Sequence, residues 1–390
     1  MAKKFDPEEF CGIEEYGTSS PGLGGRLKDR PSDFVVEEIP VDKDEGGDLV
    51  LCRMEKKDMT TFQALNKVSS SLGVPRGSIG YAGLKDKRAF TTQFVTLKGL
   101  EVEEAELDEV GVQVEPVKRV SRPLRTGDLK GNRFVIKIRG VDISEEECVD
   151  RLKRLAEEVR EGIPNYYGIQ RFGGRRPVTH LVGRELLGRN YRKAVDVYLC
   201  RTFPTEPDRF KDARKRLEDE MDYGDALNYF PPELTYERQL LERIRDMDPS
   251  SQDSWKELFK VLPKNLRRLF VHAYQSYVFN RAVSKLMREG DIRNFPAKVP
   301  GYESRLSSAD FDMFLDEELK SDGVELEDFR FREAGELSSR GTLRPVLMKP
   351  DIEVEGVGKS DEAVTATVSF TLKPGRYATV VMRELMKPSN

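Results

Sequence analysis

One short stretch of the sequence combines residue types that could do chemistry on a polyanion. Residues 80–93 read GYAGLKDKRAFTTQ, and their single carboxylate, Asp86, lies among the cations Lys85, Lys87 and Arg88. Neighbouring cations favour the ionised form of a carboxylate and attract phosphate groups. An ionised aspartate suits a nucleophile better than a general acid. Because an Asp beside a Lys is more often part of a structural turn, this stretch alone leaves a catalytic and a structural interpretation open.

A second stretch, GNRFVIKIRG (131–140), offers an amide and an aromatic ring to the same chemistry. Asn132 carries an amide that could orient a carboxylate, and Phe134 begins an alternating strand pattern. An aromatic side chain beside a basic segment can stack on a base, which is worth roughly 1–3 kcal/mol per base. The competing interpretation, which the alternation favours, places Phe134 in the core.

Two further segments mix aromatic side chains with amides or cations. The segment GIPNYYGIQRFGGRRP (162–177) predicts an ordered loop, and its mixture is typical of an RNA surface and equally of a tyrosine-rich domain junction. The segment LFVHAYQSYVFNRAV (269–283) has helical spacing and predicts a mostly buried helix. Its polar residues Gln275, Ser276 and Asn280 could face a cleft.

Charge distribution points towards a nucleic acid more than the total charge does. The net charge is only −4, yet residues 117–139 carry eight cations and one acid, and residues 171–193 carry seven cations and one acid. Acids are pooled elsewhere, at 101–109 and 310–328. This segregation predicts a basic face on an acidic protein, with solvated surface charge as the alternative.

Several absences exclude other classes of protein. Four scattered cysteines and two histidines offer no zinc-ligand spacing, and no P-loop, dinucleotide-binding or zinc-deaminase motif is present. The sequence therefore predicts no metal and no cofactor. It also shows no apolar span and no signal-peptide pattern, so we expect a cytoplasmic protein with reduced thiols and no membrane contact. A catalytic His272 is disfavoured because no Ser or Cys nucleophile pattern accompanies it.

The order of predicted elements indicates an α+β protein with an inserted helical part. The patterns at both ends of the chain predict strands, whereas those of the middle, about 166–344, predict mostly helices. The predicted strands are 33–39, 94–97, 133–140, 363–372 and 377–385. The predicted helices are 60–73, 144–162, 181–199, 208–221, 234–247 and 264–289. In the first helix, Thr60 and Gln63 fit a capping box, and Phe62, Leu65, Val68 and Leu72 form an apolar stripe.

At these residues the sequence resembles the TruD family of pseudouridine synthases, and its archaeal branch most. The segments AGLKDKRAFTTQ, PNYYGIQRFG and AYQSYVFN carry the resemblance, with support from GNRFVIKIRG, VPGYES (299–304) and FTLKPGRYATVVMRE (370–384). They occur in the family's order, from about residue 27 to the end of the chain. The agreement of several motifs in order makes the resemblance specific.

The resemblance implies a fold and an activity. The fold is the pseudouridine synthase fold, with a mixed or antiparallel central sheet flanked by helices, formed by residues 1–165 and 345–390. A mostly helical TRUD domain, 166–344, interrupts it. The implied activity is isomerisation of uridine to pseudouridine in tRNA, usually at position 13, by base flipping and without a cofactor. The partner is tRNA, and we expect a monomer without an obligatory protein partner.

The resemblance also assigns roles to residues. Asp86 matches the catalytic aspartate, Asn132 the residue that orients it, and Phe134 the residue that stacks on the target base. The remaining residues that we expect to line the substrate site are Lys85, Gln93, Asn165, Gln170, Arg171, Arg175 and Arg176. Asp86 could attack C1′ of the ribose, attack C6 of the base, or abstract the 2′ proton to give a glycal, and the sequence does not choose among these.

Two rival functions stay open at this stage. A non-catalytic RNA-binding protein or RNA chaperone on the same scaffold would keep the basic segments and use Asp86 only for structure. A cofactor-free nucleoside enzyme such as a glycosidase is the second rival, but such enzymes generally pair two carboxylates. The basic stretch around Asp86 offers only one.

Overall fold

The structure, a computed structural model, describes residues 5–248, 250–290, 293–360 and 363–387. The chain divides into two compact units. The unit named here the sheet unit comprises Tyr16–Ile163 and Lys349–Asn390, and the helical unit comprises Met1–Glu15 and Pro164–Met348. Of the three internal limits, those at 163/164 and 348/349 lie within a few residues of the predicted limits at 165/166 and 344/345, and the limit at 15/16 was not predicted.

Strands of the described residues form one large sheet in the sheet unit and short pairs elsewhere. Their order across the large sheet is β12-β13-β7-β1-β4-β2-β6-β5, with β3 also paired to β4. Strands β1 and β4 run parallel, while their other neighbours are antiparallel. The strands are β1 (Phe34–Pro40), β2 (Glu45–Lys57), β3 (Gly80–Tyr81), β4 (Phe90–Lys98), β5 (Leu107–Glu109), β6 (Val112–Val120), β7 (Leu129–Val141), β8 (Ile163–Pro164), β9 (Pro296–Val299), β10 (Thr342–Pro345), β11 (Leu347–Met348), β12 (Asp351–Ser360) and β13 (Ala363–Leu372). The predicted α+β class with a mixed sheet is confirmed.

Helices occur in both units, and most belong to the helical unit. They are α1 (Pro7–Phe10), α2 (Thr61–Ser71), α3 (Glu145–Glu161), α4 (Thr179–Leu187), α5 (Tyr191–Cys200), α6 (Asp208–Glu220), α7 (Tyr223–Tyr229), α8 (Thr235–Arg245), α9 (Gln252–Leu258), α10 (Lys264–Glu289), α11 (Asp310–Ser321) and α12 (Ala378–Met386). Among the described residues, none of these helices combines the length and apolar character needed to cross a bilayer.

Helix α2 begins as its sequence predicts and buries the predicted stripe except for one residue. The Thr60 hydroxyl accepts a hydrogen bond from the backbone N–H of Gln63, and the Gln63 side chain accepts one from the N–H of Thr60, which completes the capping box. Leu65 and Val68 enter the core against strands β2, β4 and β6, together with Ala64. Phe62 was predicted to share this stripe, and that prediction is wrong, because its side chain points away and remains 51% exposed.

The last predicted strand, 377–385, is wrong, because this segment forms helix α12. The β-branched run Thr379–Val381 favours a strand locally. However, Ala378, Val381, Met382 and Leu385 also follow helical spacing, and all four are buried. Tertiary packing against α3 therefore overrides the local preference.

The helical unit includes the start of the chain, which we predicted to belong to the catalytic domain. The reason is its hydrogen bonding to α10. The Asn280 amide donates to the Cys11 carbonyl at 3.0 Å, and the Ser284 hydroxyl donates to the Gly12 carbonyl at 2.8 Å. The predicted helix 181–199 is two helices, α4 and α5, separated by a turn in which Arg189 has a φ of +59°.

Candidate active site

Asp86 lies in the loop between β3 and β4, and a small hydrogen-bond network fixes this loop. The Thr61 hydroxyl accepts from the backbone N–H of Lys85 at 2.9 Å and donates to the Gln93 side-chain oxygen at 3.3 Å. The Gln93 amide in turn donates to the carbonyl of Gly83 at 3.3 Å. Gln93 is fully buried, so in this structure it holds the loop rather than lining an open surface.

A buried lysine holds the backbone of Asp86 itself. The Lys56 ammonium donates to the Asp86 carbonyl oxygen at 2.6 Å and to the Met59 carbonyl oxygen at 2.8 Å. Burial lowers the pKa of Lys56 to about 8, while the Asp86 carboxylate acts to raise the pKa and the Lys85 ammonium to lower it. The loop that carries Asp86 is therefore tied to the end of strand β2 by a cation in a poorly solvated position.

The Asp86 carboxylate reaches the surface beside a second lysine. One of its oxygens lies 2.9 Å from the Lys28 ammonium. The Asp86 side chain is 42% exposed and the Lys28 side chain is 23% exposed. The Lys28 ammonium also lies 4.0 Å from the centre of the Phe34 ring, which adds a cation–π contact. Lys28 has a φ of +60°, a backbone conformation that costs a non-glycine residue roughly 1–2 kcal/mol. An accessible carboxylate in an ion pair is the arrangement expected of a nucleophile or a base.

Lys85 points inward, although it precedes Asp86 directly. Its ammonium lies 2.6 Å from a Glu38 carboxylate oxygen and donates to the Asn132 side-chain oxygen at 2.8 Å. The other Glu38 oxygen accepts from the N–H of Phe94 at 3.1 Å. Asn132 therefore contacts the neighbour of Asp86, and an orienting role for Asn132 would act through Lys85.

Aromatic rings lie beneath the Lys28–Asp86 pair. Phe134 stacks on Phe370, with ring centres 5.4 Å apart and planes inclined by 26°, and it meets the Phe34 ring edge-on at 6.2 Å. Strand register explains this cluster, since Phe134 of β7 is paired with Phe370 of β13 and with Val36 of β1. Phe134 is 8% exposed, so it belongs to the core and keeps a small exposed fraction.

Sequence reasoning missed several residues of this site. Lys28, Glu38 and Lys56 come from segments 30 or more positions away from Asp86 along the chain, and each lies in a charge-rich stretch without a local signal. Phe370 lies in the motif FTLKPGRYATVVMRE but was not singled out. The structure brings the predicted residues Lys85, Asp86, Gln93, Asn132 and Phe134 together in the sheet unit.

The other predicted site residues belong to the helical unit. The Asn165 side chain is buried, donating to the Pro345 carbonyl and accepting from Arg344, each at 2.8 Å. Arg176 is held by an ion pair with Glu206 and by backbone carbonyls, and Arg171 donates to the Ser276 hydroxyl. Gln170 and Arg175 have exposed side chains. Exposure makes these last two the most available for RNA contact.

The polar residues of α10 are satisfied within the helical unit. The Asn280 oxygen accepts from the Tyr167 N–H at 2.8 Å, and the Gln275 amide donates to the Ser339 hydroxyl at 2.8 Å. Burial lowers the pKa of His272 to about 4, with the nearby Arg171 and Arg268 acting in the same direction. Within the described ranges, no group of three or more metal-ligating side chains converges.

Comparisons with known proteins identify the family of this chain. The family profile described as tRNA pseudouridine synthase D (TruD) matches residues 10–296 and 293–385. A Methanosarcina mazei protein named "Probable tRNA pseudouridine synthase D" is 33% identical and aligned over 97% of both chains. A Methanopyrus kandleri protein of the same name is 38% identical over 87% of this chain and 86% of its own.

A solved structure shows the same fold. A crystal structure described as TruD from Methanosarcina mazei matches with a TM-score of 0.81 at 32% identity and covers 98% of each chain. This likeness confirms the predicted pseudouridine synthase fold. The chain belongs to the TruD family of pseudouridine synthases.

Proposed function

We propose that this protein isomerises uridine to pseudouridine in tRNA, at position 13, without a cofactor and with Asp86 as the catalytic residue. Membership of the TruD family and the names of its relatives support tRNA pseudouridine synthase activity. The proposal for position 13 and for a reaction without a cofactor comes from the family resemblance. The role of Asp86 rests on the site, and the single observation that carries it is an accessible Asp86 carboxylate on a loop fixed by Lys56, Thr61 and Gln93.

The chemistry requires one bond to break and one to form on the same ribose. The N1–C1′ bond of uridine breaks, the uracil turns, and its C5 bonds to C1′ while the hydrogen on C5 leaves as a proton and N1 takes up a proton. The carboxylate of Asp86 can serve this exchange by attack at C1′, by attack at C6 or by abstraction of the 2′ proton. All three routes need a fixed, ionised carboxylate with open access, and fixing the geometry is itself a large part of catalysis.

The target uridine must leave its stack before Asp86 can reach it. Phe134 is the proposed receiver of the flipped base, the role that the family resemblance gives it, and 8% of the residue remains exposed. Lys28 lies between the carboxylate and the Phe34 ring, so its ammonium is placed to contact the phosphate or ribose of the flipped nucleotide. Unstacking costs a few kcal/mol, which stacking and phosphate contacts can offset.

The position of modification is tested with tritium at uridine C5. Bonding of C5 to C1′ releases this hydrogen to water, so radioactivity in water reports the isomerisation itself. We expect release from tRNA with uridine at position 13 and none from the same tRNA with cytidine there. Equal release from both tRNAs would contradict position 13 and leave the activity standing. Release of free uracil would instead indicate a glycosidase.

A further inference from the structure

An exposed aromatic cluster lies beside the loop that carries Asp86. Phe62 is 51% exposed near the start of α2, and the half-buried Tyr81 ends β3. Their ring centres are 6.5 Å apart, with the planes inclined by 84°. The Arg76 guanidinium lies 5.8 Å from the Phe62 ring centre and 5.5 Å from that of Tyr81. These three residues are named here the aromatic platform.

The platform is coupled to the catalytic loop by short connections. Thr61, directly before Phe62, accepts a hydrogen bond from the N–H of Lys85, directly before Asp86. Tyr81 precedes the loop, and Leu84 within the loop is 61% exposed. Large apolar side chains exposed together usually mark a binding surface, whereas single ones are common. Leu84 lies two residues before Asp86, so the loop also exposes an apolar side chain next to Asp86 in the sequence.

The charges around the platform favour a polyanion as its partner. A groove of about 760 Å³ begins at Tyr81 and is lined also by Lys98 and Arg125. Among the residues that the structure describes, no carboxylate forms an ion pair with Arg76, Lys98 or Arg125, and Asp48 is the acid that lines the groove. Tyr81 is the residue of the platform that also lines the groove. An aromatic surface that leads into a groove with cations is a feature of single-stranded nucleic-acid binding.

We propose that the aromatic platform stacks an unpaired nucleotide of the RNA substrate next to the uridine at Asp86, and that the strand continues into the groove at Lys98 and Arg125. This proposal rests on the proposed function, because it takes the substrate to be RNA. It names a positioning surface and not a catalytic one, since none of its residues touches the reacting atoms. A flipped uridine leaves its neighbours unstacked, and the platform gives one of them a new partner.

Steady-state tritium release from tRNA tests the platform in variants of Phe62. Loss of one stacked base weakens RNA binding by roughly 5- to 100-fold. For Phe62→Ala we expect KM to rise about tenfold with kcat within twofold of the native value, and Phe62→Trp to retain the native KM. Val110→Ala is the control, because Val110 is an exposed apolar residue of the same unit away from the platform. An unchanged KM in Phe62→Ala would overturn the proposal.

Two further readouts separate stacking from a merely structural role. The protein has a single tryptophan, Trp255, and it is buried, so the indole introduced by Phe62→Trp reports its own surroundings. We expect tRNA to quench this fluorescence, and an unchanged signal at saturating tRNA would contradict stacking. Arg76→Met should reduce the slope of log affinity against log salt by about one. An unchanged slope would contradict a phosphate contact.

The failure of this proposal is distinguishable from the failure of the proposed function. Tritium release by the native protein with all Phe62 variants at native KM would overturn the platform alone, and would favour a protein partner for this surface. Absence of release by the native protein from any tRNA would overturn the proposed function. If there is no release and tRNA also leaves the fluorescence of Phe62→Trp unchanged, the platform is overturned as well. If there is no release but tRNA quenches this fluorescence, the platform is supported as the surface of an RNA-binding protein.

Discussion

The Lys56 ammonium donates hydrogen bonds to the backbone carbonyl oxygens of Asp86, at 2.6 Å, and of Met59, at 2.8 Å. Because these bonds position the loop on which the proposed catalytic residue lies, we expect Lys56→Met to fold but to lose activity. A displacement of about 1 Å can cost roughly 100-fold in rate, so kcat for tritium release should fall about 10- to 100-fold. Circular dichroism and single-turnover kinetics at saturating tRNA measure the two properties separately.

The matched control for this variant is the next residue. Lys57 also lies in β2, but its side chain is exposed. Lys57→Met should therefore keep kcat within about twofold of the native value. If both variants lost the same activity, the loss would come from removing a positive charge from this part of β2. The hydrogen bond from Lys56 to Asp86 would then have no specific effect.

The pKa of Lys56 makes a prediction about stability and pH. Burial lowers this pKa in the folded protein to about 8 from an ordinary value of 10.5. Between these two values the unfolded chain binds the extra proton, so the contribution of Lys56 to the free energy of unfolding becomes more favourable as pH rises. Below about pH 8 the lysine is charged in both states, and the full penalty of burying the charge is present.

Urea unfolding at pH 7.5 and 9.5 measures this effect as a difference between native protein and Lys56→Met. Other titrating groups cancel in that difference when the two proteins share them. We expect the difference to shift in favour of the native protein at the higher pH. A constant difference, or a shift towards the variant, would be inconsistent with a lowered pKa for Lys56.

Replacement of Lys28 by glycine should lower activity while leaving stability almost unchanged. Its φ of +60° costs roughly 1–2 kcal/mol, which glycine does not incur. Its contacts with Asp86 and Phe34 are worth about 0.5–1 kcal/mol each. Lys28→Gly should therefore stay within about 1 kcal/mol of the native free energy of unfolding, while kcat/KM falls at least tenfold.

Lys28→Met is the comparison that isolates the backbone effect. It loses the same two contacts but keeps the left-handed backbone, so it should be about 1 kcal/mol less stable than Lys28→Gly. Chemical denaturation and tritium release on the same preparations provide both measurements. If Lys28→Gly were fully active, the Lys28–Asp86 pair would have no part in the reaction.

A buried carboxylate in helix α12 should be sensitive to substitution, with a loss of stability. Glu384 is fully buried and accepts hydrogen bonds from the N–H groups of Gly17 and Thr18 and from the Thr18 hydroxyl, at 2.8–3.0 Å. In Glu384→Gln one oxygen becomes an amide that cannot accept, so we expect a loss of about 1–3 kcal/mol in the free energy of unfolding. Glu157→Gln, on the exposed side of α3, should change it by less than about 0.5 kcal/mol. Equal values for both variants would contradict this account.

Much of the fold could be predicted from local patterns, and the exceptions have physical causes. The capping box at Thr60 and the alternation in 133–140 each rest on neighbouring residues, and both elements form as predicted. Helix α12 was missed because the run Thr379–Val381 prefers a strand, while the packing that overrides it involves α3, far away in sequence. Phe62 was misassigned because it lies at the edge of the helix face that carries Leu65 and Val68, and helical spacing does not show how far the covered surface extends.

The candidate site was predictable only where a motif holds its members together. Asp86 and Gln93 share one stretch of sequence, and Asn132 with Phe134 share another. Lys28 and Lys56 could not be predicted, because their roles depend on tertiary contacts. The Lys28 ammonium contacts the Asp86 carboxylate, and the Lys56 ammonium contacts the Asp86 carbonyl oxygen. No local pattern distinguishes such lysines from solvated ones.

The central claim is that Asp86 performs the chemistry, and one measurement tests it most directly. Tritium release from C5-labelled tRNA is compared for native protein, Asp86→Asn and Asp29→Asn, with tRNA affinity measured in parallel. Asp29 is a suitable control because it is similarly exposed and ion-paired, with Arg26. The account predicts no detectable release by Asp86→Asn with tRNA affinity retained, and near-native release by Asp29→Asn. Release by Asp86→Asn at the native rate would contradict it.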